Sequence, residues 1–346
     1  MKKPKQSLYP YRLPAEWEPQ ESTWLTWPQN KKTWGAILPY AENTYLDLSH
    51  IILEKQDLYI VVNPGKIPDK LDELSQEDHN YTLHLIQKPT DDCWIRDYGG
   101  ITVYDNQGER RLIDWEFNSW GGKYPPWEND NNIPKIMEQT LLLEREPVPM
   151  ILEGGSIDVN GSGILLTTES CLLNPNRNHT LCKEQIEYYL KRKLGVETIL
   201  WLSGKIKGDD TDGHVDQLAR FISPKKIVCT VSDDPSRTHY QSLLENYQSL
   251  TYQAEMIGLE VLKLPLPSPM VINNLHIPAS YANFILINEG IIVPTFGEPN
   301  DNHVLNFFAE QFPEREIFPL DARFINYGQG GLHCISMQIP RILKNP

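Results

Sequence analysis

Nowhere in the 346-residue chain does an apolar run approach the roughly 18 consecutive residues that a spanning helix needs, which argues against an integral helical membrane protein. The basic start, Met1-Lys2-Lys3-Pro4-Lys5-Gln6, leads into Tyr, Pro and Arg rather than the apolar core of an export signal, so a cytoplasmic protein is expected. Cysteine is scarce. The five residues Cys93, Cys171, Cys182, Cys229 and Cys334 are odd in number and contain no CxxC pair, which argues against a disulfide framework or a structural zinc site. Positive charge is in deficit, with 32 Lys and Arg against 46 Asp and Glu, a net charge of −14. That balance disfavours nucleic acid and anionic membrane surfaces as partners, and weakly favours small cations. No low-complexity linker interrupts the chain, and a single domain over 1–346 is expected. What is present, 40% hydrophobic and 23% charged residues, is the composition of a protein with a packed core.

Short apolar runs rich in β-branched residues read as strands at Leu58 to Val62, Ile164 to Thr167, Ile199 to Leu202, Ile227 to Val231, Phe284 to Ile287 and Ile291 to Val293. Turn chemistry at 105–108, 160–163, 223–226 and 288–290 places tight hairpins between candidate strands. Helical periodicity follows at Ala41 to Glu54, His179 to Leu194, Arg237 to Ile257 and Val304 to Phe312. An order of hairpin, helix, hairpin, helix fits a repeated β-β-α module in an α/β protein better than a parallel βαβ sheet, which has no need of so many tight turns.

Four segments gather polar residues at candidate strand ends, where loops on a rigid scaffold carry sites. They are Asp91-Asp92-Cys93-Trp94-Ile95-Arg96-Asp97-Tyr98-Gly99-Gly100, Leu152-Glu153-Gly154-Gly155-Ser156, Asp212-Gly213-His214-Val215-Asp216 and Gly328-Gln329-Gly330-Gly331-Leu332-His333-Cys334. Together they offer a thiol, an imidazole and several carboxylates, which is what guanidinium hydrolysis requires. A guanidinium is planar and always charged, with N–H donors in a fixed fork that carboxylates such as Asp97 and Asp216 can grip. Its carbon is a poor electrophile, so a soft thiolate such as Cys334 is the suitable nucleophile. His214 would protonate departing ammonia and then deprotonate water, with Glu153 orienting the ring. Glycines 328, 330 and 331 would supply positive φ and a close backbone approach. His214 and Asp216 are expected on one face of a strand. Trp94 and Trp120 are candidates to wall the site and stack on a cation, and Asp92 either touches substrate or serves a turn. Cys93, Cys171, Cys182 and Cys229 read as small buried hydrophobes.

These four segments, in this order, resemble those of the agmatine deiminase and Porphyromonas-type peptidylarginine deiminase family, guanidine-modifying enzymes of the pentein fold. The resemblance runs from Leu13-Pro14-Ala15-Glu16-Trp17 and Thr23-Trp24-Leu25-Thr26-Trp27-Pro28 through Phe117-Asn118-Ser119-Trp120-Gly121-Gly122-Lys123-Tyr124 and Leu173-Asn174-Pro175-Asn176-Arg177-Asn178 to Cys334. It implies a five-bladed α/β propeller and a covalent amidino adduct on Cys334. It also implies acid/base chemistry at His214 supported by Glu153, guanidinium binding by Asp97 and Asp216, and neither metal nor organic cofactor. Two departures bear on the substrate's tail. Gln329-Gly330-Gly331-Leu332-His333-Cys334 replaces the usual Gly-Gly-Gly-Asn-Ile-His-Cys, and the loop from Trp120 to Trp127 is shorter than its counterpart.

Agmatine, hydrolysed to N-carbamoylputrescine and ammonia, is the leading substrate; a peptidylarginine or another guanidino compound is the alternative. Arg96, expected to point away from Asp97 on an extended strand, and Lys123, in a loop of unknown direction, are poor partners for an α-carboxylate. An amidinotransferase, a non-catalytic cation-binding module and a zinc site on His214, Asp216, His333 and Cys334 are the competing readings. Self-association into a homo-oligomer stays open.

Overall fold

The computed structural model describes residues 9–204, 209–272 and 275–343. Among them one strand arrangement occurs five times: an antiparallel pair whose second strand runs through a helical crossover into a third, parallel strand. In the first module Ser336–Pro340 lies antiparallel to Gln20–Thr26, and helix Leu38–Leu53 leads to the parallel strand Asp57–Val62, with Leu83–Gln87 added outside. The second joins Ile101–Asp105, Arg110–Glu116 and, after helix Ile133–Leu141, Glu144–Ile151; Tyr11–Arg12 caps its edge. The third joins Ile157–Val159, Ile164–Thr168 and, after helix Lys183–Leu194, Thr198–Leu202. Ala219–Ser223, Lys226–Val231, helix Tyr240–Glu255 and Glu260–Pro265 form the fourth. The fifth has Ile285–Ile287, Gly290–Thr295, helix Pro299–Gln311 and Glu316–Asp321.

The five-bladed α/β propeller implied by the resemblance corresponds to these five modules. Each parallel pair needs a crossover of a dozen or more residues, which explains why one amphipathic helix follows each hairpin. The four expected hairpin turns all connect antiparallel strands. The helix read from His179 begins instead at Lys183, because Asn174 caps a separate turn at Pro175–Asn178 and Cys182 and Gln185 cap the later start reciprocally. The helix read from Val304 begins five residues earlier at Pro299, where Glu298 and Asp301 form a capping box and proline takes the first position. A continuous core of large side chains, including Trp24, Trp27, Trp34, Tyr45 and Phe284, fills the space between sheets and helices. Among the described residues no helix is long and apolar enough to cross a membrane.

Candidate active site

In every module a short turn precedes the first strand. These turns are Ile95–Tyr98, Gly154–Ser156, Val215–Gln217, residues 280–283 and His333–Ile335. Repetition of the module therefore delivers five equivalent chain segments, and from them come Asp97, Glu153, His214 with Asp216, Asn283 and Cys334. Two expectations of local structure are corrected here. His214 and Asp216 sit on a 3-10 turn, not a strand, so they lie on adjoining sides of a bend. Arg96 lies in a helical turn rather than an extended strand, and its buried guanidinium donates to the His333 carbonyl and to Gln338 Oε1.

The thiol side is tightly specified. Cys334 is buried, with Sγ 3.6 Å from Asn283 Oδ1 and 3.8 Å from both Asp216 Oδ2 and Gln217 Nε2. Burial, reinforced by the Asp216 and Asp97 carboxylates, pushes this thiol well above its usual range, so the free protein holds it protonated. The glycines leading to it do not take positive φ as expected; that conformation falls on Gln329. Gly330 and Gly331 are needed for close approach, since a Cβ would stand 2.3 Å from Trp94 and 2.2 Å from Asn283. Asn283 fixes the loop by accepting the His333 N–H through Oδ1 at 2.8 Å.

His333 organises Asp216. Its Nδ1 is 2.8 Å from Asp216 Oδ2 and its Nε2 3.1 Å from Glu16 Oε2, so both ring nitrogens face carboxylates. Glu16 continues the chain of charge to buried Arg220, which also bonds Asp158 at 3.0 Å. Burial alone would raise the Asp216 carboxyl, but the His333 hydrogen bond and the neighbouring cations hold it below the usual range. Its Oδ1 remains buried with no partner among the described residues. An ionised carboxylate with one oxygen anchored and the other unclaimed is suited to receive an N–H donor.

The opposite side has a different balance. Asp97 accepts from Trp120 Nε1 at 2.9 Å and from the Gly155 N–H at 3.0 Å. Burial, opposed by His214 but aided by Asp216 and Glu153, pushes its carboxyl up to about 6. His214 is buried, with Nδ1 3.6 Å from Asp97 Oδ1 and Nε2 4.0 Å from Glu153 Oε2, and neither nitrogen has a hydrogen-bond partner among the described residues. Burial lowers its pKa, yet Asp97, Glu153 and Asp216 outweigh burial and raise it. Glu153 is held from behind by Arg177 Nε at 2.6 Å, and the same guanidinium bonds Asp212 Oδ2 at 2.5 Å.

A cavity of about 840 Å³ opens onto Cys334 and Asp97 and is walled by Trp94 and Trp120. Trp120 is thus a holder of Asp97 as well as a wall. Asp92 lines the cavity but is already engaged by Thr33 Oγ1 at 2.5 Å and by the Cys93 N–H at 2.9 Å. Lys123 lines it too, with Nζ donating to Asp212 Oδ1 at 2.9 Å and the Asp210 carbonyl at 2.6 Å. Of the four cysteines read as buried, Cys93, Cys171 and Cys229 are buried, whereas Cys182 is exposed at its helix start.

The zinc reading loses its ligand set, because both ring nitrogens of His333 face carboxylates. The described residues with potential ligand atoms within 4.8 Å of one another are Glu153, Cys171 and His214. Arg177 on Glu153 and the raised Cys171 thiol, buried and beside Glu153, both oppose a cation there. Sequence reasoning gave no role to Arg177, Asn283, Gln217, Glu16 or Arg220. Two of them lay within the resembling segments Leu13-to-Trp17 and Leu173-to-Asn178; for Asn283 and Gln217 no motif signalled a role.

The sequence profile of the Porphyromonas-type peptidyl-arginine deiminase family matches residues 12–340. A putative agmatine deiminase of Legionella pneumophila is 36% identical over 99% of this chain and 97% of its own. Among solved structures, a cysteine-to-serine variant of C. jejuni agmatine deiminase with substrate bound superposes with a TM-score of 0.88 at 33% identity, covering 96% of this chain and 97% of that one. Agmatine deiminase of Enterococcus faecalis gives 0.90 at 31%, covering 96% of each chain. With near end-to-end agreement in sequence and fold, the chain belongs to the Porphyromonas-type peptidyl-arginine deiminase family.

Proposed function

We propose that this protein is a cytoplasmic, single-domain agmatine deiminase that converts agmatine and water into N-carbamoylputrescine and ammonia without metal or cofactor. The observation that carries the reading is that one cavity is lined by the Cys334 thiol and the buried carboxylate Asp97, with buried Asp216 in reach of the same sulfur at 3.8 Å. The guanidinium lies between Asp97 and the unclaimed oxygen of Asp216. Its charge offsets the burial and carboxylate repulsion that keep Cys334 protonated, so the thiolate forms when substrate is in place, the thiol proton passing to His214. Sulfur then bonds to the guanidinium carbon, the C–N bond breaks, and the nitrogen leaves as ammonia carrying the proton that His214 relays. Water next attacks the amidino-thioether carbon, giving one proton to His214. The C–S bond breaks with its electron pair returning to sulfur, which takes the second water proton and is again a thiol, and the ureido product departs. Glu153, anchored by Arg177, keeps the imidazole between its two proton-transfer positions.

Agmatine is favoured over arginine by the state of Lys123. It is the cation nearest in sequence to Trp120, and it already pairs with Asp212 and the Asp210 carbonyl, so an α-carboxylate would compete with an existing bond. Lys31 and Lys32 are exposed lining residues. Desolvating an unpaired carboxylate costs several kcal/mol, which is enough to exclude it. Ammonia release from agmatine, L-arginine and a blocked peptidylarginine at equal concentrations tests this. A higher kcat/KM for agmatine is expected; a higher value for arginine would make Lys123 a carboxylate clamp and overturn the assignment.

A further inference from the structure

A second cavity, of about 280 Å³, is lined among others by Gln217, Thr230, Ser280, Ala279 and Asp209. Gln217 belongs to both places: its Nε2 is 3.8 Å from Cys334 Sγ, while its side chain forms part of this second lining. Three buried polar atoms of that lining, Gln217 Oε1, Thr230 Oγ1 and Asp209 Oδ2, have no partner among the described residues. A space of this size with several unsatisfied polar groups is one that water occupies, unlike an apolar void, which stays dry. Ser280 Oγ donates to the Gln217 carbonyl at 2.8 Å and holds the residue in place between the two cavities.

The chemistry proposed above creates a supply problem, and this inference rests on that reading. After ammonia leaves, the remainder of the substrate is still bonded to Cys334. Its tail extends into the cavity of about 840 Å³ through which it entered, so that cavity is obstructed when the hydrolytic water is needed. Gln217 reaches the sulfur at 3.8 Å but is not among the residues lining that larger cavity. We infer that the second cavity stores the hydrolytic water and that the Gln217 amide passes it to the adduct, its Oε1 accepting from the water while its N–H donates to sulfur. In the step itself the water oxygen bonds to the adduct carbon, His214 takes one water proton, and the C–S bond breaks toward sulfur, which takes the other. Gln217 donates and accepts hydrogen bonds only and is not altered.

Rapid-quench kinetics of the full-length enzyme with agmatine tests the assignment by separating ammonia release from ureido product release, with intact-protein mass spectrometry reporting the adduct. Gln217→Leu keeps the bulk but removes the amide, and is expected to leave the first ammonia burst near the wild-type rate while slowing steady-state turnover at least about tenfold, with adduct accumulating. Ala279→Leu narrows the second cavity without touching Gln217 or the thiol and is expected to show the same pattern more weakly. A burst slowed in Gln217→Leu as much as turnover would mean that Gln217 serves the nucleophile, and the inference falls. Loss limited to Gln217→Leu, with Ala279→Leu fully active and the cavity demonstrably filled in its crystal structure, overturns the reservoir. If no adduct appears in any variant, including His214→Ala, the covalent reading itself has failed, which is a separate result.

Discussion

The two carboxylates of the site are chemically identical and sit on equivalent turns of the repeated module, yet their surroundings push them in opposite directions. Asp216 is held below the usual range by the His333 hydrogen bond and nearby cations, which overcome burial. Asp97, with an indole and an amide as its hydrogen-bond donors and other carboxylates close by, is pushed up to about 6. Burial is shared, so the neighbours decide. One half of the site is thus a carboxylate already anchored by a hydrogen bond to His333. The other is a group of unrelieved charge that a cation from outside would complete.

The largest effect should come from removing the atom both halves face. Cys334→Ser is expected to cut turnover by at least roughly 10^4-fold with the far-UV circular dichroism unchanged. Residual activity above a few per cent would remove the covalent route. His214→Ala comes next, with a loss of about 10^2 to 10^4-fold spread over adduct formation and breakdown; a normal rate of adduct formation would assign the first proton elsewhere.

The stability of paired variants sharpens the contrast. Asp216→Asn removes the carboxylate that His333 needs, and breaking a buried pair of this kind costs about 3 kcal/mol, read as a lower Tm. Asp97→Asn is expected to leave Tm unchanged or raised while impairing activity. An acid whose folded pKa is raised binds its proton more tightly when folded, so Asp97 contributes stability below its unfolded pKa and loses it as pH rises toward about 6. Asp216 has the opposite slope, contributing above its unfolded pKa and losing that contribution as pH falls. Melting curves between pH 4 and pH 8, estimates of range chosen to bracket these carboxylates, should therefore show the Asp97→Asn gain largest at the alkaline end. The same gain at every pH would contradict a perturbed carboxyl. Least of all should be the effect of EDTA, for which no change in kcat/KM is expected; loss restored by zinc would move the Glu153, Cys171 and His214 cluster to first importance.

The alternation of hairpins and helices was legible because each module repeats turn residues and an amphipathic stretch at similar spacing. The segments carrying Asp97, Glu153, His214, Asp216 and Cys334 were legible because polar residues cluster in them between apolar strands. What was not legible has a common cause. Asn283 and Gln217 act through single side chains brought in by tertiary closure, and neither stands in a motif that local chemistry marks. The 3-10 turn at 215–217 escaped notice because alternation over a few residues also suits a strand. The exposed Cys182 was misread because residue type alone does not reveal a helix cap.

One pairing has a bearing on how the site holds together. The strand Ser336–Pro340, which follows the nucleophile directly, lies against Gln20–Thr26 from the other end of the chain. Cys334 and His333, the latter 2.8 Å from Asp216, stand on the turn that leads into this strand, so the pairing of the two chain ends also fixes their position. The first module, which takes Ser336–Pro340 as its antiparallel strand, is thus completed by a segment from the far end of the chain. Opening of this seam is expected to displace Cys334 and His333 together, since one turn carries both.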